Sequence, residues 1–408
     1  MVSQQKHMTL PSQAEQTTRE RVGADTTMIQ TPAQATSSSR LVFVDNLKVA
    51  LIILVVLVHL AMMYAGMTHG FYYVEPAYSD MLAFFVLLIF FQFNQAFFMG
   101  LFFLIAGYFT PGSFDRKGAQ FYLKDRLLRL GIPTLLFMFI LSPLAVIGLY
   151  RMPEQLTHIT TPFTWQQYPM LIGIGPMWFA VMLLIFECGY IAWRMMAKRW
   201  AHRVAGTAGV PQFRVILAFI LLLALTSYLV RIVLPIGTQV LGSFPTLGYL
   251  PQYLSFFLIG IAAARNNWLR TFPGSLGKRG FWLALLATLI LFPVASSGGP
   301  ATVGNGTWQS GVFALWDSAF AVGMCLFLLT LFRRFFDAPG RLSKLLSQHA
   351  FTVYVIQIPI LVLLAALALR DVHIEQLLKF GLAAIIGVPL CFFAAYLVRK
   401  IPLADKIF

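Results

Sequence analysis

Charged residues are scarce in this chain. Asp, Glu, Lys and Arg make up 11% of its 408 residues, whereas 59% of the residues are hydrophobic. Soluble domains carry about 25% charged and about 45–50% apolar residues. The composition therefore excludes a soluble enzyme, a disordered protein and a secreted disulfide scaffold. It predicts an all-α protein: a polytopic integral membrane bundle of helices.

Cysteine is equally scarce, and its placement excludes two further classes. The three cysteines, Cys188, Cys325 and Cys391, all lie inside apolar runs, and no CxxC spacing occurs. The seven histidines are scattered without a HExxH-type pair. We therefore expect neither a disulfide framework nor a metal site.

The apolar runs predict about ten transmembrane helices, because each is close to the roughly 20 residues that a helix needs to cross the bilayer. Residues 1–40 are rich in Gln, Thr, Ser and Ala and have no apolar core of a signal peptide, so they predict a disordered cytoplasmic tail. Residues 41–400 then form one membrane domain without a visible repeat, and 401–408 form a short cytoplasmic tail. The predicted spans are 42–64, 82–109, 130–150, 171–193, 214–234, 243–264, 281–295, 311–332, 349–369 and 379–398.

The distribution of basic residues predicts the topology. With the N-terminus on the cytoplasmic side, 26 of the 30 Lys and Arg residues fall on inner segments. The four outer ones are Arg151, Arg231, Arg370 and Lys379. Positive charge on short loops stays in the cytoplasm. The protein is therefore expected in the plasma (inner) membrane, with both termini on the cytoplasmic side. This orientation explains the formal net charge of +15 without nucleic acid as a partner.

Two outer segments carry aromatic and amide groups: Trp165, Gln166, Gln167 and Tyr168 in one, and the Gly-rich, uncharged stretch 296–310 in the other. Such a surface suits sugar or polyol binding, but Trp and Tyr also mark the membrane interface. Both interpretations stay open. Asn305 begins a glycosylation sequon, which matters only in a eukaryotic secretory pathway.

The first span holds three ionisable groups, Asp45, Lys48 and His59. At 100° per residue, Lys48 and His59 share one helix face, about 16 Å apart along the axis, and Asp45 lies about 40° to the other side. Ionisable groups inside a membrane are costly and indicate function. A neutral imidazole there is suited to general base catalysis, although a histidine that only supports helix packing fits the pattern as well.

Further polar groups are candidates with weaker patterns. Arg126 and Arg129 are spaced i and i+3 and are predicted to project to one side. They would bind phosphate or simply anchor the inner loop. Three more basic residues lie nearby in the sequence: Arg116, Lys117 and Lys124.

Glu187 is expected to support the site or to pair with a basic residue. Arg231 and Asp317 are expected to pair with each other or to orient an imidazole. Hydrogen bonds between helices are the preferred interpretation for Gln92, Asn94, Gln95 and Gln357.

The chain resembles the membrane-bound acyltransferase family 3, in the branch that includes glucan-modifying enzymes. The resemblance runs from about Arg40 to Arg399. It rests on five segments in order: VDNLKVALIILVVLVHL, FFMGLFFLIAGYFTPGSFDRKG, KDRLLRLGIP, GPMWF and FTVYVIQIP.

This resemblance implies about ten spans and an acyl group taken from cytoplasmic acyl-CoA and esterified to an acceptor hydroxyl. The family's basic-X10-His motif falls on Lys48 and His59, with Lys where many members have Arg. The RxxR motif linked to acyl-CoA falls on Arg126 and Arg129. The WF pair falls on Trp178 and Phe179, and Trp178 is expected to bind the donor. Many members carry His where this chain has Gln357, which puts the identity of the acceptor in doubt.

The sequence thus predicts an integral membrane O-acyltransferase with no bound cofactor and acyl-CoA as co-substrate. His59 is the expected general base. Lys48 is expected to help at the inner end of the first helix and to pair there with Asp45 at i,i+3. An acyl-His intermediate is the alternative. Acetyl and succinyl are both possible acyl groups. A glycan, a lipid-linked sugar and a small metabolite are all possible acceptors. The rival class is a multi-pass transporter, whose usual inverted repeats and broken helices are not found; a channel or scaffold ranks last.

Overall fold

The computed structural model describes residues 41–67, 80–147, 150, 162–197, 208–238, 247–402 and 404–407. In these ranges every regular element is a helix, which confirms the all-α class. The predicted tail 1–40 lies outside the described residues. The α-helices of these ranges are α1 (Val42–Tyr64), α2 (Met81–Arg126), α3 (Ile132–Leu136), α4 (Ser142–Ile147), α5 (Tyr168–Leu171), α6 (Trp178–Met196), α7 (Phe213–Val233), α8 (Leu250–Arg265), α9 (Trp268–Thr271), α10 (Gly274–Ser296), α11 (Trp308–Phe335), α12 (Arg341–Leu363), α13 (Gln376–Val398) and α14 (Ala404–Ile407).

Shorter helical segments connect these helices. Three are π-helical, Leu127–Gly131, Phe137–Leu141 and Leu364–Ala368. Four are 3₁₀ turns, Trp165–Gln167, Gly175–Met177, Leu247–Tyr249 and Gly299–Val303. The predicted fourth span is therefore interrupted, because Gly175 adopts a positive φ of 45° just before α6 begins.

Nine helical stretches of the described chain are long and apolar enough to cross a membrane. One of them, Met81–Val146, is 66 residues long, about 99 Å of helix against a hydrocarbon core of about 30 Å. It bends at Gly118, whose φ of 72° and ψ of 167° are not helical. The predicted second and third spans, 82–109 and 130–150, thus belong to one bent helical stretch, and the nine stretches hold the ten predicted crossings.

The most buried helices lie at the centre of the bundle. They are α1, α11 and α12, whereas fewer than half of the span residues of α7, α10 and α13 are buried. Helix α1 packs on α2, α12 and α13, so the polar groups of the first span face protein on several sides. The exposed apolar residues of the outer helices, such as Leu221, Leu289 and Ile385, present the surface expected toward lipid.

Helix ends that the charge pattern assigns to one side of the membrane lie together. The carboxylate of Asp115 on α2 accepts hydrogen bonds from Arg194 on α6 (2.9 Å) and Arg265 on α8 (2.8 Å). At ends assigned to the other side, the Gln376 amide donates to the carbonyl of Tyr64. This grouping agrees with the predicted alternation of spans, while the assignment of the cytoplasmic side rests on the basic residues of the sequence.

Small residues allow two helix pairs to approach closely. A methyl group on Gly107 of α2 would collide with the carbonyl oxygen of Phe257, and one on Gly260 of α8 would collide with that of Leu104. Gly280 of α10 is similarly crowded, with a Cβ only 2.6 Å from the carbonyl oxygen of Gly323 on α11. Close backbone contact at small residues is a main source of helix association in membranes.

Gly107→Ala is expected to destabilise the bundle by about 1–3 kcal/mol, because the added methyl overpacks the contact between α2 and α8. The matched control is Gly131→Ala, since a Cβ there meets no atom within 4 Å. Thermal unfolding of both variants in detergent measures the difference. Equal midpoints for the two variants would contradict the close contact.

Candidate functional site

His59 occupies the polar face of α1, next to α12. The imidazole faces the main chain of Val55 and the side-chain amide of Gln357. Its Nδ1 atom is buried without a well-formed hydrogen bond, and so is the Oε1 atom of Gln357. The Gln357 amide nitrogen makes only a long bond, 3.4 Å, to the carbonyl of Tyr354. The imidazole and the Gln357 amide therefore lie beside each other, and each has an atom that can take a further hydrogen bond.

The opposite end of α1 carries the pair expected from the sequence. Lys48 Nζ lies 3.4 Å from Asp45 Oδ1, which confirms the i,i+3 pairing. The same ammonium group lies 4.4 Å from the centroid of the Phe109 ring on α2. Lys48 thus sits beside the segment of α2 that also contacts Glu187, whereas His59 lies about 16 Å farther along α1.

Glu187 is the centre of a polar cluster that the sequence did not predict in full. Its carboxylate is 1% exposed and lies 3.6 Å from Arg126 Nε, so its expected pairing with a basic residue is confirmed. Thr110 donates to Oε1 at 3.1 Å, and the Tyr122 hydroxyl donates to Oε2. Thr110 precedes the bend at Gly118, and Tyr122 and Arg126 follow it. The carboxylate therefore joins both arms of α2 to α6.

The two arginines of the RxxR motif face different partners. Arg126 turns inward to Glu187, with its guanidinium 4.8 Å from the Tyr122 ring centroid. Arg129 bonds to Asp125 at 3.2 Å and is 55% exposed. Lys117 binds the same carboxylate at 2.8 Å, and Lys124 is exposed. The two arginines thus make their ion pairs with different carboxylates, and a π-helical turn begins between them at Leu127. Their joint phosphate role stays a prediction.

Trp178 lies in an aromatic stack rather than beside the arginines. Its ring stacks on Tyr253 of α8 at 5.5 Å, and Tyr253 stacks on Phe103 of α2 at 5.0 Å. Trp178 precedes Glu187 by nine residues on α6, about 13 Å along the helix. Its expected contact with the acyl donor stays a prediction.

Arg231 and Asp317 pair with each other, one of the two alternatives expected. Arg231 Nη2 lies 2.7 Å from Asp317 Oδ2, and the two side chains are 0% and 1% exposed. Arg231 Nε also donates to the carbonyl of Gly248 at 3.2 Å, and its guanidinium lies 4.7 Å from the Tyr249 ring centroid. The pair joins α7 and α11 to the start of α8.

The other polar residues of the spans divide between two kinds of contact. Gln95 donates to the Tyr253 hydroxyl at 3.3 Å, the expected bond between helices. Asn94 instead donates to the carbonyl of Phe90 at 2.7 Å. The expectation for Asn94 was wrong because a carbonyl four residues earlier on its own helix lies within reach of the amide.

Asp317→Ala is expected to lower the free energy of unfolding by about 3–5 kcal/mol, because it leaves the buried Arg231 charge without a carboxylate. Replacing both partners, Arg231→Met with Asp317→Leu, should recover most of this loss. Asp125→Ala, in the exposed pair with Arg129, is the control and should cost at most about 1 kcal/mol. If denaturation in detergent shows no recovery in the double variant, the pair is not the cause.

The comparisons with known proteins agree with this architecture. The acyltransferase domain family matches residues 41–398. Glucans biosynthesis protein C of Salmonella typhi and of Salmonella typhimurium are each 28% identical over 233 residues, which is 54% of this chain. The match spans 57% of the length of these curated relatives. No solved structure matches the chain. The match across nearly all of the membrane domain shows that the chain belongs to the membrane-bound acyltransferase family 3.

Proposed function

We propose that the protein transfers an acyl group from cytoplasmic acyl-CoA to a hydroxyl group of a glycan or another hydroxylated acceptor. The observation that supports this most is the placement of His59. Its imidazole lies inside the bundle beside Gln357, with a buried ring nitrogen that has no well-formed hydrogen bond. The opposite end of the same helix lies next to the segment of α2 that contacts Glu187 and Arg126.

In the proposed reaction, His59 accepts the proton of the acceptor hydroxyl while the hydroxyl oxygen attacks the thioester carbonyl. The carbon–sulfur bond then breaks, and the leaving CoA thiolate takes up the proton from the imidazolium. This cycle returns His59 to its neutral form without a further reagent. An acyl-His intermediate follows the same proton balance in two steps. Both acetyl and succinyl donors fit the scheme.

Arg129 and Lys124 are proposed to meet the donor phosphates first, since both are exposed. Arg126 would join them by exchanging the Glu187 carboxylate for a phosphate oxygen. The Arg126–Glu187 distance of 3.6 Å is longer than the N–O distance of a strong ion pair. The planar guanidinium group of an arginine is suited to bidentate contacts with a phosphate. Glu187 would keep its bonds from Thr110 and Tyr122 during this exchange.

Gln357 is proposed to position the acceptor. Its amide lies beside the His59 ring and retains an unpaired oxygen. An amide both donates and accepts hydrogen bonds, so it suits a sugar or polyol hydroxyl. The exposed Trp165 and the neighbouring amides of Gln166 and Gln167 are a second candidate surface for such an acceptor.

His59→Ala is expected to lower the rate of acyl transfer by about 10²–10⁴-fold, the usual contribution of a general base. The assay measures free thiol released from acetyl-CoA and, separately, from succinyl-CoA by purified protein in detergent. His349→Ala is the matched control, because that buried histidine is bonded to its own helix at Leu345. Near-normal release by the His59 variant would end the assignment.

Arg129→Ala and Arg126→Ala are expected to raise the KM for acyl-CoA with a smaller effect on kcat, because each removes a contact made before the chemical step. Arg334→Ala, an exposed arginine on α11, controls for loss of positive charge. An unchanged KM in both variants would exclude the phosphate role.

Uptake of a labelled solute by sealed vesicles, without acyl transfer, would favour the transporter instead.

A further inference from the structure

An apolar cleft of about 720 Å³ lies between α6 and α8. Both helices pack on α2, and the cleft opens between them. Its walls are formed by aromatic and aliphatic side chains, among them Met182, Phe186, Trp193, Leu250, Leu254 and Ile261. Several residues at its edge are exposed, such as Ile185 (55%) and Leu258 (54%). An exposed apolar opening on a membrane-spanning surface faces lipid tails rather than water.

The cleft has the length of one lipid chain in one leaflet. Its lining residues extend from Met182 to Trp193 on α6 and from Leu250 to Ile261 on α8. Eleven residues correspond to about 17 Å along a helix. Half of the hydrocarbon core is about 15 Å thick. A single acyl chain that follows the cleft would therefore run from the middle of the membrane to its surface.

A cluster of charged residues with a net positive charge lies at one end of the cleft. Tyr190 lines the cleft, and its hydroxyl accepts hydrogen bonds from Arg194 (3.1 Å) and Arg265 (3.3 Å). The two guanidinium groups share one carboxylate, that of Asp115. These three charges leave an excess of one positive charge at the mouth of an otherwise apolar cleft.

We propose that this cleft binds one anionic glycerophospholipid, with an acyl chain between α6 and α8 and the phosphate against Arg194 and Arg265. The apolar walls select a long chain, and the excess positive charge selects an anionic head group. The sequence assigns both arginines to the cytoplasmic side, where basic pockets between helices recognise anionic lipids. The bound lipid would fill the gap between α6, which carries Glu187, and α8.

This site is separate from the residues proposed for acyl transfer. Arg126 lies at the end of α2, and Glu187 faces α2 from α6, whereas the cleft lies on the side of α6 that faces α8. The proposal therefore does not depend on the acyltransferase activity, and lipid binding is measured without acyl-CoA.

The test uses the full chain in nanodiscs that contain phosphatidylcholine and a varied fraction of brominated lipid. Trp193, which lines the cleft and is 49% exposed, reports local quenching by the bromine atoms. Its signal is the difference between the wild type and Trp193→Phe. Trp282, 59% exposed on α10, gives the control signal through Trp282→Phe. Brominated phosphatidylglycerol and brominated phosphatidylcholine are compared at equal fractions.

We expect Trp193 quenching to reach half its maximum at an at least threefold lower fraction of phosphatidylglycerol than of phosphatidylcholine. Trp282 should show no such preference. Arg194→Gln should abolish the preference at Trp193. Leu254→Phe, which puts a larger side chain in the cleft wall without adding a tryptophan, should displace the lipid. Equal quenching by both lipids in the wild type would overturn the proposal. The proposal would also be overturned if palmitoyl-CoA relieved the quenching while the two phospholipids quenched equally. That result would identify the acyl tail of an acyl-CoA as the occupant of the cleft.

Discussion

The structure depends on one constraint: a polar group inside the membrane must find its partner within the protein, because lipid offers none. Arg231 and Asp317 meet this constraint through a buried ion pair, whose side chains are 0% and 1% exposed. Glu187 meets it with a threonine, a tyrosine and an arginine from both arms of one bent helix. These contacts fix α2 against α6, and α7 against α11, more specifically than apolar packing alone would. They also define the scaffold in which the first helix lies.

His59 and Gln357 each keep a buried polar atom without a well-formed hydrogen bond, as do Arg231, Asp317 and Arg126 in the pairs described above. What sets His59 and Gln357 apart is their chemistry. An imidazole and an amide lie beside each other, and both types of group can bind a substrate hydroxyl. This placement connects the packing of the bundle to the proposed chemistry.

Much of the architecture could be predicted from the sequence, because it depends on the lengths of apolar runs and on the spacing of residues along one helix. Apolar run lengths predict the spans, and the spacing of Asp45 and Lys48 predicts their contact within one helix. The Glu187 cluster was only partly accessible: its charge predicted a basic partner, but Tyr122 and Thr110 are brought to it by the bend at Gly118. The different partners of Arg126 and Arg129 depend on the tertiary contact of Arg126 with Glu187 on α6, which the i,i+3 spacing does not indicate. The lipid cleft depends on how α6 and α8 lie on α2, a tertiary relation without a local motif.

The central claim is that an acyl donor entering beside Arg126 delivers its carbonyl carbon to His59. A structure of the protein with a non-hydrolysable acyl-CoA analogue measures this directly, as the distance between that carbon and the nearer imidazole nitrogen. We expect the carbonyl carbon and the imidazole nitrogen to be separated so that one acceptor oxygen fits between them, about 3 Å from each of these two atoms. We expect the phosphates of the analogue near Arg126 and Arg129. An analogue whose acyl group ends in lipid, or in the cleft between α6 and α8 away from His59, would contradict it.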